Sequence, residues 1–374
     1  MHLSKLMVTQ GLLAASALAC RVPRPKHGGA KIDTIKDDPI KIEPIKSGPI
    51  KIDPIKSDPI TNDPVKEGSV ENETAKDDPT KSNDTNNNGT ETDSILEPGL
   101  KWEICIHNPI KHDSVDDIVP SEATVFGIDL AHAQEFPGMI PALKEAGKIV
   151  LCYFNAGAVQ NWDEDKGDFP KEATGKGLDP PYVGEEGEWY LDIRHPRVLE
   201  LMKKRLDAAV EIGCDGVDPD NVDAWAAHGD DPTGFRLTPE DYADYLASLA
   251  EHAHSLTTKS GRPLLVGQKN APAIAPSLVS ILDFAVLESC REWSFCGDFQ
   301  PYVQAGKPVF QIEYPPSLEE TGSISDEDMR LFCEEPTSKH GDEGFSRILK
   351  WASAQLDGWG QYCGGETFEQ PTIG

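Results

Sequence analysis

Acidic side chains recur at one kind of place along this chain, directly behind short apolar runs. Asp129 ends ATVFGID, Glu288 ends FAVLE and Glu313 ends PVFQIE, while DGVDPDNVD carries Asp218, Asp220, Asn221 and Asp223 together. Lys269 and Asn270 follow PLLVGQ in the same way, and phenols stand at Tyr153 and Tyr314. Two carboxyl groups facing one cleft are what acetal cleavage needs. One is ionised and stabilises or attacks an oxocarbenium-like centre, and the other is protonated and gives its proton to the leaving oxygen. Glu288 is the candidate acid, because an apolar strand and a nearby anion both favour the protonated form. Asp220 is the candidate ionised partner, held so by Lys269 or main-chain donors. Other chemistries lack their parts: there is no GxSxG, no HExxH, no P-loop and no Cys/His set with metal spacing. No metal and no cofactor are therefore expected.

The elements that must position these groups are legible from periodicity. Short apolar runs lie at 102–106, 123–130, 148–154, 215–218, 263–268, 283–287, 308–313 and 345–349. Helical patterns separate them, most clearly at 196–212 and 238–256. Pro196 opens the first, and Val198, Leu199, Met202, Leu206 and Val210 share a face at helical spacing. Thr238 is the expected N-cap of the second, with Pro239 behind it and Glu240 and Asp241 favourable to its dipole. Eight strands alternating with helices predict an α/β fold, a (β/α)8 TIM barrel occupying 101–374. An open doubly wound sheet lacks its Gly-rich loop after the first strand. Barrel chemistry sits at the C-terminal strand ends, where the acids fall. Asp220 and Glu288 then end the fourth and sixth strands.

The chain is strongly acidic, with 35 basic and 64 acidic side chains, and residues 101–374 alone carry 22 against 48. Such a surface repels nucleic acid and anionic membranes and favours a cationic partner. Residues 1–19 read as a cleaved export signal: Lys5, an apolar run from Leu6, and Ala17-Leu18-Ala19 as the cleavage site. That run is too short to span a bilayer, so no membrane insertion is expected. A lipoprotein signal ending at Cys20 is the lesser alternative. Residues 20–100 read as a disordered stalk. A ten-residue repeat (KIDTIKDDPI, KIEPIKSGPI, KIDPIKSDPI) decays into an Asn/Thr-rich tract, and its prolines oppose helix and sheet alike. Glycosylation sequons fall at Asn72, Asn83 and Asn88 only within that stalk. A secreted, extracellular or wall-associated monomer is the expectation.

Export places the cysteines where disulfides persist. Seven follow residue 100, so at least one has no partner within the domain. Cys290 and Cys296, six apart, are the expected disulfide. Cys363 pairs with Cys105 or Cys333, and Cys152 and Cys214, in or beside apolar runs, are expected as small buried thiols.

The runs LCYFNAGAVQNW (151–162), EWYLDIRHPRVLELMKKRLD (188–207), GCDGVDPDNVDAW (213–225), VGQKN (266–270), FAVLESCREWSFC (284–296) and KPVFQIEY (307–314) resemble, in order, the signature segments of glycoside hydrolase family 114, the endo-α-1,4-polygalactosaminidases. The resemblance covers roughly 101–363. It implies catalysis by Asp220 and Glu288 on a cationic, wholly or partly de-N-acetylated galactosamine polymer. Asp129, Asp192 and Asp223 are candidates for binding its ammonium groups, with Asp192 alternatively positioning Arg194 and Asp223 alternatively capping a helix. Tyr153 and Trp162 are candidates for stacking on sugars. Asp218, Asn221, Lys269, Asn270, Glu313 and Tyr314 complete the expected binding set. Three positions depart from the family pattern: Asp218 for Glu, Ala271 for Asp after Lys-Asn, and Leu287 for Asn, the last removing a polar group beside the acid. Two other readings compete: another α-glycosidase, such as an α-galactosidase-like enzyme, and a non-catalytic polysaccharide-binding wall protein.

Overall fold

The computed structural model describes residues 94–373 apart from 179–186, 228, 352–355 and 366. The expected export signal, nearly all of the expected stalk and the three sequons lie outside the described residues. The folded chain begins before residue 101, because Leu96 is fully buried in an apolar cluster, with Ile95 and Leu100 packed against it.

Thirteen strands are described. The barrel strands are β1 (Trp102–Cys105), β2 (Val125–Asp129), β3 (Ile149–Asn155), β7 (Gly216–Asp220), β8 (Leu265–Lys269), β9 (Phe284–Glu288), β10 (Val309–Glu313) and β11 (Ser346–Leu349). All eight overlap the apolar runs of the sequence and pair in parallel, in that order. Two short antiparallel strands, β12 (Trp359–Gln361) and β13 (Thr367–Glu369), extend the sheet from β11. Between β3 and β7 the chain adds a separate antiparallel sheet of β4 (Ala158–Gln160), β5 (Thr174–Gly177) and β6 (Glu188–Leu191). The strand-then-helix pattern did not show this insertion.

Side chains alternate between two cores, as the two-residue strand period requires. Trp102, Ile104, Leu151, Phe284, Val286, Phe310, Ile312 and Ile348 fill one cluster. Phe126, Ile128, Cys152, Val217, Ala285 and Leu287 belong to the other, with the buried faces of the helices. The first cluster is the barrel interior, and space there is tight. A Cβ at Gly267 would lie 2.3 Å from the Phe284 ring, so only glycine fits beside that phenylalanine. Between β11 and β1 side chains join the barrel: Trp102 Nε1 donates to the Ser346 carbonyl at 2.9 Å, and Lys350 is bonded to Glu103.

The helix Pro196–Ile212 starts on Pro196 and stops at Gly213, whose φ of 111° suits a residue without a Cβ. Its buried face is Val198, Leu201, Met202, Leu206 and Ala209. Relative to the sequence reading the face is rotated, with Leu199 and Val210 at its margins. Thr238 caps the helix Pro239–Ser255 through a capping box with Asp241.

Cys290 and Cys296 are joined, as are Cys333 and Cys363. Cys152 and Cys214, expected as thiols, are also bonded to each other. Both sulfurs are buried, and strand register brings them together. Cys152 lies on β3 opposite Val217 of β7, which brings the turn at Cys214 within reach of it. Cys105 stays a buried thiol. The Cys152–Cys214 bridge closes 62 residues and Cys290–Cys296 only six. Chain entropy then assigns about 4 kcal/mol to the first and about 2 kcal/mol to the second. Urea unfolding should show the Cys152→Ala/Cys214→Ala pair losing more stability than the Cys290→Ala/Cys296→Ala pair.

Candidate active site

Strands β7, β8 and β9 are neighbours, and their inward positions climb toward the C-terminal mouth of the barrel. Gly216, Asp218 and Asp220 share one face of β7, Gly267 and Lys269 one face of β8, and Phe284, Val286 and Glu288 one face of β9. The result is a buried charge cluster. Lys269 Nζ lies 3.5 Å from Asp218 Oδ2, 3.6 Å from Asp220 Oδ1 and 3.6 Å from Glu288 Oε2. All four side chains are almost fully buried. Two phenols complete the arrangement. Tyr153 on β3 donates its hydroxyl to Asp220 Oδ2 at 2.9 Å, and Tyr314, just after β10, donates to Glu288 Oε1 at 2.6 Å. Each carboxylate thus has one oxygen toward its own tyrosine and the other toward the shared ammonium.

The backbone leaves these strands by sharp turns. Asn221, Asn270, Ala271 and Ser289 take φ of 58°, 41°, 62° and 53°, immediately after β7, β8 and β9. Left-handed conformations of non-glycine residues cost of order 1–3 kcal/mol each and persist where surrounding contacts fix them. Those contacts are present. Ala156 and Gly157 both donate main-chain N–H to the Asp220 carbonyl, at 2.9 and 3.0 Å. A Cβ on Gly157 would fall 1.7 Å from the Asn221 carbonyl oxygen, so this approach needs glycine. Asn270 Oδ1 accepts the main-chain N–H of Glu288 at 2.9 Å, tying the end of β8 to the end of β9.

One cation faces three buried carboxyl groups, so the cluster retains protons. Burial, with Asp220 and Glu288 adding to it against Lys269, pushes Asp218 up to about 6. Asp223, after β7, is pushed up to about 7 by burial and by the same two acids. Burial also raises Glu288, against the pull of Lys269 and the Tyr314 hydrogen bond. Burial alone would lower Lys269, but the three carboxylates outweigh it and keep the ammonium charged.

The remaining sequence candidates fall at varied distances from this cluster. Asp223 is electrostatically linked to Asp220 and Glu288 and makes no side-chain helix cap. Asn221 and Asn270 form the strand exits. Asp129 caps the helix Leu130–Glu135 by accepting from His132 N at 2.8 Å. Asp192 holds Arg194, with Nε to Oδ1 at 2.9 Å. Trp162 is half exposed, on the loop after β4. Glu313 points to the opposite face of β10 from Tyr314, where it accepts from Arg291 N and Gln311 Nε2. Leu287 likewise faces the outer core, away from Glu288, so the Asn-to-Leu departure places no side chain beside the acid. Sequence reading missed the support behind Glu288. Arg291, fully buried, binds Asp342 at 2.6 Å, and Asp342 also holds Arg347. The available signal was an arginine between the two bridged cysteines. Among the described residues one grouping, Cys290, Cys296 and Glu313, has metal-ligand proximity, and its sulfurs are used in their own disulfide.

A (β/α)8 barrel with paired carboxyl groups at its C-terminal mouth has the groups that glycoside hydrolysis requires. The model of glycoside-hydrolase family GH114 matches residues 83–368, and the chain belongs to that family. Among solved structures it is similar to Aspergillus fumigatus Ega3, crystallised in complex with galactosamine. The two are 33% identical over 74% of this chain and 100% of that one, with a TM-score of 0.60. The glycoside hydrolase domain of PelA from Pseudomonas aeruginosa is 14% identical over 69% of this chain and 96% of that one, with a TM-score of 0.48. No curated protein sequence matches.

The elevated Asp218 has a consequence for stability. Its folded value of about 6 exceeds the ordinary 3.8, so ionisation opposes folding. The cost is absent below pH 4, grows as pH rises, and is complete above pH 6, at about 2–3 kcal/mol. Asp218→Asn should therefore gain about that much stability at pH 8 and almost none at pH 4, read as a shift in urea midpoint without a change of slope.

Proposed function

We propose that this glycoside hydrolase cleaves α-1,4-linked galactosamine polymers internally, by double displacement, with Asp220 as nucleophile and Glu288 as acid/base. The observation that carries the reading is the shared contact of both carboxylates with Lys269 Nζ, 3.6 Å from each. That geometry caps the separation of the two facing oxygens at about 7 Å. Inverting enzymes need about 6.5–9.5 Å to admit a water, and retaining enzymes about 5–5.5 Å. For these facing oxygens the cap admits the retaining spacing, which supports double displacement.

In the first step an Asp220 oxygen bonds to the anomeric carbon. The glycosidic C–O bond breaks toward the leaving sugar, whose oxygen takes the Glu288 proton. In the second step Glu288 takes a proton from water, the water oxygen bonds to the anomeric carbon, and the bond to Asp220 breaks. The raised proton affinity of Glu288 supports its starting role as acid. The cationic substrate is supported by the family, by the galactosamine of Ega3, and by the excess of acid at the site. Asp223, which forms no ion pair among the described residues, is the proposed ammonium contact. Three disulfides among the described residues suit a secreted enzyme, with residues 1–19 as export signal and the stalk expected at residues 20–100.

Incubation of the protein with deacetylated galactosaminan should release oligomers, and NMR of the first product should show the α-anomer. A β-anomer would remove the double displacement and leave the carboxyl pair standing. Asp220→Asn and Glu288→Gln should each lower kcat by two to four orders of magnitude on the polymer. The alkaline limb of kcat/KM should lie above the range in which an ordinary glutamate loses its proton, because Glu288 is raised. An intact activity in both variants would exclude the assignment.

A further inference from the structure

We infer that Lys269 is a shared counter-ion, passing from Asp220 in the first half-reaction to Glu288 in the second. The inference rests on the double-displacement reading above. Lys269 Nζ is equally far from both acids, 3.6 Å in each case, and 3.5 Å from Asp218. It is also almost fully buried, so no water shell competes for its charge.

The charge count explains why equal distances matter. Before reaction Asp220 is anionic and Glu288 holds a proton. After glycosyl transfer Asp220 is a neutral ester, and Glu288, its proton gone with the leaving group, is the anion. The negative charge has moved from one side of Nζ to the other, and the ammonium faces it in both states without moving. A lysine placed nearer to Asp220 would stabilise the resting state and oppose glycosylation. A lysine placed nearer to Glu288 would oppose protonation of the acid. Preorganised charge that needs no reorientation between steps is the form of electrostatic support that lowers barriers most.

The tyrosines behave differently. Each serves one acid, Tyr153 through Asp220 Oδ2 and Tyr314 through Glu288 Oε1. The other charged or titratable groups facing Lys269 are Asp218 on β7 and Asp223 beyond it, while the Tyr153 ring centre lies 5.3 Å from Nζ. None of these changes charge in the cycle, so the ammonium is the group that answers the moving anion. Lys269 is thus a positioning residue, acting through the two carboxylates.

The test is the pH profile of kcat/KM on deacetylated galactosamine oligomers, whose acid limb reports the ionised nucleophile and whose alkaline limb reports the protonated acid. Removing a shared cation moves both limbs to higher pH, whereas removing a private hydrogen bond moves one. Lys269→Met should shift both limbs upward by about one pH unit or more. Tyr153→Phe should shift the acid limb alone and Tyr314→Phe the alkaline limb alone. Lys269→Arg, which keeps the charge, should restore both limbs toward their native positions. Because Lys269→Met alone leaves three buried acids without a cation, the same comparison is made in an Asp218→Asn background. There Lys269→Met returns the buried cluster to its native net charge, and the Asp218→Asn single variant is the reference. A shift of one limb only, or of neither, in these comparisons overturns the shared role. If Asp220→Asn and Glu288→Gln keep their activity, the double-displacement reading fails instead, independently of the lysine.

Discussion

The structure turns on one buried ammonium. Lys269 sits inside the barrel with three carboxyl groups around it, and all four side chains are almost fully buried. Stripping water from a lone charge costs several kcal/mol even in real, relaxed proteins, and removing one partner of such a set leaves the rest uncompensated. The cluster can exist only if β7, β8 and β9 deliver their side chains to one level at once. Much of the surrounding architecture serves that requirement. The inward glycine at 267 makes room for Phe284 below, and the tyrosines from β3 and β10 close the cluster from the sides.

The excess of acid over base sets the protonation of the site. Were there three lysines for three acids, every carboxylate would be ionised and no group would hold a proton to donate. With a single cation, Asp218 and Asp223 hold protons well above the ordinary carboxylate range, and burial raises Glu288 as well. The strand exits contribute a second condition. Four non-glycine residues in left-handed conformation turn the chain away within one or two residues of Asp220, Lys269 and Glu288. Main-chain donors at Ala156 and Gly157 and the amide of Asn270 hold those turns, so the strained backbone and the charged side chains are fixed by the same contacts.

Support extends outward from there. The disulfide at Cys290 and Cys296 staples the turn behind Glu288, and Arg291 between them is buried against Asp342. Glu313, which shares a strand with neighbours of the site, belongs to this outer network through Arg291 N and not to the cleft. The acid therefore rests on two layers: tyrosine and lysine toward the barrel centre, and arginine, aspartate and a disulfide toward the helices.

By itself the sequence determined what is periodic or local. The eight strands lie where the apolar runs lie, because burying a barrel strand on both faces favours mostly apolar residues there. Thr238 and Pro196 mark helix starts because their capping chemistry acts within a few residues. Motif order sufficed to identify the family. Tertiary structure decided what depends on facing and register. A strand's alternation sends Glu313 and Leu287 outward while Tyr314 and Glu288 face in, and a linear reading of strand ends does not carry that phase. The Cys152–Cys214 bond needed the β3–β7 register, and the inserted sheet of β4, β5 and β6 needed pairings between strands too short to announce themselves. Tyr153 and Tyr314 turn their hydroxyls to carboxylates, a pairing that strand order alone does not show. Above all, the equal reach of Lys269 to two acids on different strands is a distance in space, fixed by how three strands pack side by side, and the order of residues along the chain does not contain it.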